Sequence, residues 1–80
     1  MTFASTIEGR DHYLSDMILA QYSDTDLVRC MKLCDGYSGG CRSFSVSESE
    51  RKCYLSSIKR RETSKDKFVY KKGFVYYEAV

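Results

Sequence analysis

The chain contains no asparagine, no proline and no tryptophan, and it has one histidine. Without asparagine there is no acceptor for N-glycosylation. No apolar run approaches the roughly 18 residues that a membrane helix needs. The opening Met1-Thr2-Phe3-Ala4 has neither a basic n-region nor an apolar h-region, so no signal peptide is expected here and a secreted protein would be represented by its mature or excised domain. The single histidine, His12, follows Asp11. Adjacent strand residues point to opposite faces, so the two do not form a catalytic pair, and His12 reads as a surface residue. Acid–base or nucleophilic chemistry needs groups that this chain does not assemble, so an enzyme is not expected, and neither is a cofactor or metal site.

What is present fits a small cross-linked domain. Eighty residues correspond to one domain, 1–80. A chain of this size buries only about 60–65% of its unfolded surface, and cross-links are the usual remedy. The four cysteines, Cys30, Cys34, Cys41 and Cys53, fall within residues 30–53. That content lies below the roughly 8–10% of a pure disulfide scaffold, so a hydrophobic core must share the work. Eleven Tyr and Phe residues supply it, each burying about 150–250 Å² when packed.

The net charge of +2 hides an asymmetry. Residues 51–72 carry nine basic groups against Glu62 and Asp66, while the rest of the chain carries four basic and nine acidic groups. Such a local field matters more to a partner than the sum does.

Along the chain, residues 1–22 alternate weakly, and Met17 to Tyr22 reads as a strand leading into a helix. Ser23 is a helix cap, and Asp24 and Asp26 put negative charge in the first turn. Leu27, Cys30, Met31 and Cys34 recur on one helical face, and Gly36 is free to take a left-handed cap, which predicts a helix over about 24–35. Cys41 to Ser47 alternates, with Arg42, Phe44 and Val46 on one side and Cys41, Ser43 and Ser45 on the other, as in an antiparallel strand. Ser47 to Arg51 is a polar turn and Lys52 to Ser57 the return strand, with Cys53 and Leu55 facing together. Ile58 to Lys67 reads as a basic loop. Phe68-Val69-Tyr70 and Phe74 to Ala79 read as a closing hairpin about Lys71-Lys72-Gly73. The expected fold is α+β: about five antiparallel strands cradling one helix, with Leu27, Met31, Phe44, Val46 and Leu55 in the core.

Cys30 and Cys34 project from one helix in the same direction, so they cannot easily bond each other. Two connectivities remain: 30–53 with 34–41, or 30–41 with 34–53. Either staples the helix to the central hairpin. A zinc site would usually bring two C-x2-C knuckles, and the chain has none. Two disulfides in turn imply an extracellular setting.

The run Cys30-Met-Lys-Leu-Cys34, Cys41-Arg-Ser-Phe-Ser-Val46, Cys53-Tyr-Leu-Ser-Ser57 and Phe74-Val-Tyr-Tyr77 resembles the PAN/apple domain family over residues 23–78. The resemblance implies a five-stranded antiparallel sheet around one helix, with Cys30 paired to Cys53 and Cys34 to Cys41. Apple domains proper carry a third disulfide between their ends. This chain has no cysteine there and is similar to the shorter PAN form. The resemblance also implies a secreted or cell-surface recognition and adhesion module, binding protein or carbohydrate, within a larger modular protein.

Candidate ligand residues are the basic series Lys59, Arg60, Arg61, Lys65, Lys67, Lys71 and Lys72, suited to a sulfated glycan, an acidic protein or an anionic membrane, the alternative being a solvated loop whose charges protect a sheet edge. Tyr70, Tyr76 and Tyr77 are suited to sugar stacking or protein contact, with one of Tyr76 and Tyr77 expected inside. Two further readings are a structural domain packed against its neighbours and a secreted inhibitor. Nucleic acid is not an expected partner, because disulfides and nucleic acid seldom share a compartment. Ile7-Glu8-Gly9-Arg10 matches a protease linker site used in fusion proteins and equally suits a first strand.

Overall fold

In the computed structural model, which describes residues 2–80, five antiparallel strands form one sheet in the order β1-β5-β3-β4-β2. The elements are β1 (Phe3–Leu14), β2 (Ile18–Ser23), α1 (Leu27–Asp35), β3 (Ser43–Ser47), β4 (Lys52–Ser56) and β5 (Phe68–Ala79). Two short 3-10 turns, Arg60–Glu62 and Lys65–Lys67, lie within the basic loop.

The helix packs on β3 and β4, pinned by disulfides Cys30–Cys53 and Cys34–Cys41. The buried cysteines, Phe44, Val46 and Leu55 form the core on this face, with Phe3, Leu27, Leu33 and Tyr77 packed at its margin.

The helix starts later than the sequence suggests. Asp26, not Ser23, is the cap, its carboxylate accepting from Arg29 N at 2.9 Å. Asp24 takes a left-handed φ of 54° and Thr25 N donates to Arg51 O, so these residues link β2 to the β3–β4 turn instead of opening the helix. Gly36 closes the helix at φ −92°, not in the left-handed region. Met31 is exposed, and Leu33 packs in the position expected of it.

Residues 68–79 are a second departure. They form one continuous strand, not a hairpin, because β5 pairs along its length with β1. Lys71-Lys72-Gly73 is a bulge within it. Gly73 has φ 92°, conformational space that favours glycine, and its amide donates to Asp11 Oδ1 at 2.9 Å; Asp11 itself sits at φ 58°. Matched irregularities on both strands bend the β1–β5 ribbon.

Beyond the bend the ribbon crosses the face of the sheet opposite the helix. Leu14 N donates to Ser45 Oγ at 3.1 Å, which lays the end of β1 over β3. Ser43 Oγ donates to Ile58 O at 2.6 Å and Ser56 Oγ to Asp16 O at 2.9 Å. The serines on the strand side opposite Phe44 and Val46 are therefore buried fasteners for the covering chain. Tyr13 of the ribbon packs on Tyr54 and Phe74, with Tyr54 stacked on Phe74 at 5.4 Å. Arg42 lies before β3, exposed. Ile7 to Arg10 is built into β1: Gly9 is buried against Tyr76, and Arg10 is in register with Val75.

Candidate functional site

The basic loop is fastened at several points. Lys59 N donates to Glu62 Oε1 at 2.7 Å, a bond that caps the first 3-10 turn. Glu62 also accepts both carboxylate bonds from Arg42 Nη1, at 3.0 and 2.9 Å. The backbone bond from Lys59, joined by the Arg42 guanidinium, holds the Glu62 carboxyl below its ordinary range. Thr63 Oγ1 donates to Asp16 Oδ2 at 2.6 Å, and Ser15 donates to Lys67 O through both its amide and its hydroxyl at 2.8 Å. Ser64 Oγ donates to Asp66 Oδ1, which lowers that carboxyl too.

These bonds turn part of the loop around a cleft of about 450 Å³, lined by Arg60, Arg61, Thr63, Ser64, Lys65 and Phe68. Arg60 is the best-held cation. Its guanidinium lies 5.4 Å over the Phe68 ring and donates to Glu8 Oε2 at 3.1 Å, while its amide donates to Tyr76 Oη at 2.8 Å. His12 stacks on Phe68 at 4.9 Å, and its Nδ1 lies 2.8 Å from Arg10 O. Phe68 is thus a fixed floor on which Arg60 rests. Arg61 and Lys65 are exposed on the rim and carry no salt bridge among the described residues.

Of the expected basic series, the structure brings Arg60, Arg61 and Lys65 to this cleft. Lys59 begins the loop, Lys67 is exposed at its end, and neither lines the cleft. Lys71 and Lys72 sit in the β5 bulge, with Lys71 Nζ 5.5 Å over Phe74. The tyrosines scatter. Tyr70 is exposed and edge-on to His12 at 5.7 Å. Tyr77 stacks on Phe44 at 5.0 Å, on the helix-bearing face. Tyr76 is fully buried, so no ligand reaches its ring, and burial pushes its hydroxyl up to about 12. Arg42, Glu8 and Phe68 were missed as parts of the site. Glu8 is 52 residues from Arg60, and no local pattern links them.

The family description of the PAN domain matches residues 7–79, and the chain belongs to that family. PAN domains are generally non-catalytic modules that bind protein or carbohydrate, and they are typically extracellular, which the two disulfides fit. No helix among the described residues is long and apolar enough to cross a membrane. Comparison with curated proteins and with solved structures gave no match.

Proposed function

We propose that this PAN domain is a non-catalytic recognition and adhesion module whose ligand-contacting surface is the basic cleft, taking an anionic chain such as a sulfated glycan. The observation that carries this is the convergence of Arg60, Arg61 and Lys65 on one cleft whose floor and walls are fixed by Phe68, Glu8 and Tyr76. A preorganised guanidinium loses little freedom on meeting a sulfate or carboxylate, and planar donors suit both groups. Neighbouring exposed Lys67 adds to the long-range field.

Immobilised heparin serves as a probe for sulfated glycan and polyglutamate for an acidic protein. We expect heparin binding that weakens steeply as salt rises. The double substitution Arg61→Glu with Lys65→Glu, on two exposed residues, should reduce it by about tenfold or more while leaving the fold intact. Retention of polyglutamate alone would redirect the reading to acidic protein. Absence of binding to both at low salt would refute an anion site.

A further inference from the structure

We propose that the uncovered half of the helix-bearing face is a self-association surface, on which a second copy of this chain docks about a two-fold axis close to Val75. This surface is separate from the basic cleft and does not depend on its function. The nine-residue helix is only about 13.5 Å long and packs on β3 and β4, leaving β5 and β1 open on that face. Two shallow grooves remain there, and Val75 lines both. One, of about 520 Å³, is flanked by Ile7 and Arg10. The other, of about 320 Å³, is lined by Leu27, Val46 and Tyr77, with Glu48 at its margin.

Ile7 is 93% exposed, the most exposed large apolar side chain described. Its presentation is built in. Between the pairs Ser5↔Tyr77 and Arg10↔Val75, β1 advances five residues where β5 advances two, so the surplus chain arches outward with Ile7 on it. The arch is rooted, because Gly9 N donates to Thr6 Oγ1 at 3.2 Å and a Cβ on Gly9 would meet Tyr76 O at 2.9 Å. Ile7 is therefore a knob on a fixed base.

A two-fold rotation about Val75 exchanges the two sides of this surface. It carries Ile7 over the partner copy's apolar groove and Arg10 toward that copy's acidic margin at Glu48. Both complements lie on one chain, and this favours a second copy over an unrelated partner: an isologous contact needs a patch that matches itself. The same arch interrupts the β1 edge, so contact runs through side chains and not through strand pairing.

The test is sedimentation velocity on the oxidised full chain over a dilution series. We expect a reversible dimer, with Ile7→Asp raising its dissociation constant by about tenfold or more, since one buried isoleucine is at stake. Ile7 is solvent-exposed in the monomer, so a circular dichroism spectrum like that of the parent chain would separate this effect from misfolding. Arg10→Glu and Glu48→Arg should each weaken the dimer, and the two together should restore part of the loss. A chain that stays monomeric throughout, leaving this face to a different partner, would overturn the proposal. So would a dimer indifferent to Ile7→Asp, or one that the double charge reversal does not rescue.

Discussion

On the helix-bearing face of the sheet the closing element is a helix held by two disulfides over Phe44, Val46 and Leu55; on the opposite face it is a bent strand ribbon held by Ser45, with the adjoining connections held by Ser43 and Ser56, over Tyr54, Phe74 and Tyr76. The first fastening is covalent and indifferent to pH and salt. The second is made of hydrogen bonds, each contributing on the order of 1 kcal/mol net but costing about 1–3 kcal/mol if one partner is lost in the interior. The candidate ligand cleft sits on the second side, where Arg60 N meets Tyr76 Oη. The cross-links thus lie on the face away from the candidate cleft, and the basic loop meets their neighbourhood through Arg42, next to Cys41, and Ser43.

The largest test of this division is loss of the longer cross-link. Cys30–Cys53 closes a loop with a sequence separation of 23, and the chain-entropy account assigns such a loop about 3.4 kcal/mol, within the usual range of about 2–5 kcal/mol. In an 80-residue domain this is a large share of a total of about 5–15 kcal/mol. Cys30→Ala with Cys53→Ala should lower the urea midpoint by an amount equivalent to about 3 kcal/mol. If the faces are as different as proposed, salt and mild alkali should leave that difference unchanged. An equally stable double variant would mean that the apolar contacts and Cys34–Cys41 hold the helix without the longer cross-link.

The ribbon face has its own signature, in alkali. Tyr76 titrates near 12 in the folded protein because burial disfavours its phenolate, against 10.0 for the free side chain. Its folded pKa is raised, so the unfolded chain releases its proton first. The stabilisation is complete below pH 10 and is lost as pH climbs from 10 toward 12, by up to about 2–3 kcal/mol. Tyr76→Phe should flatten this part of the pH profile while costing about 1 kcal/mol at neutral pH through the lost bond to Arg60 N. Denaturation midpoints measured between pH 8 and 12 decide the matter, and an unchanged slope in the variant would assign the alkaline loss to other groups.

The two faces also differed in how far they could be read from the residues. The helix face was legible because its signals are local: Cys30 and Cys34 at helical spacing, Phe44 and Val46 alternating, and a family resemblance that supplied the pairing later seen in the structure. Even there Leu33 packs where Met31 was expected, because Leu33 lies three residues from Cys30 on the same helical face and Met31 falls at its edge. The ribbon face was not legible. The alternation of serine with apolar residues marks a strand but does not say what covers the serine side, and the covering chain is brought in by partners as distant as Leu14 to Ser45. Lys71-Lys72-Gly73 carries the composition of a hairpin turn, yet the residue that makes it a bulge is Asp11, 62 positions away. The basic cleft stood between these extremes. Its cations were evident from charge, whereas Glu8 and Phe68, which hold Arg60, and Arg42, which holds Glu62, reach the loop from three other segments.

The smallest expected effect falls on the serine that fastens the ribbon. Ser45 is buried and accepts from Leu14 N at 3.1 Å. Ser45→Ala keeps the strand and its neighbours but leaves that amide without its acceptor, which should cost about 1–2 kcal/mol. Because the same ribbon carries His12 and Phe68 beneath Arg60, the loss should also speed hydrogen exchange at Leu14 and Ser15 while leaving Cys30 and Cys34 in the helix protected. That contrast is the sharpest form of the comparison. Faster exchange on both faces together would mean that the sheet opens as one cooperative unit, and that covalent and hydrogen-bonded fastening protect the domain to the same degree.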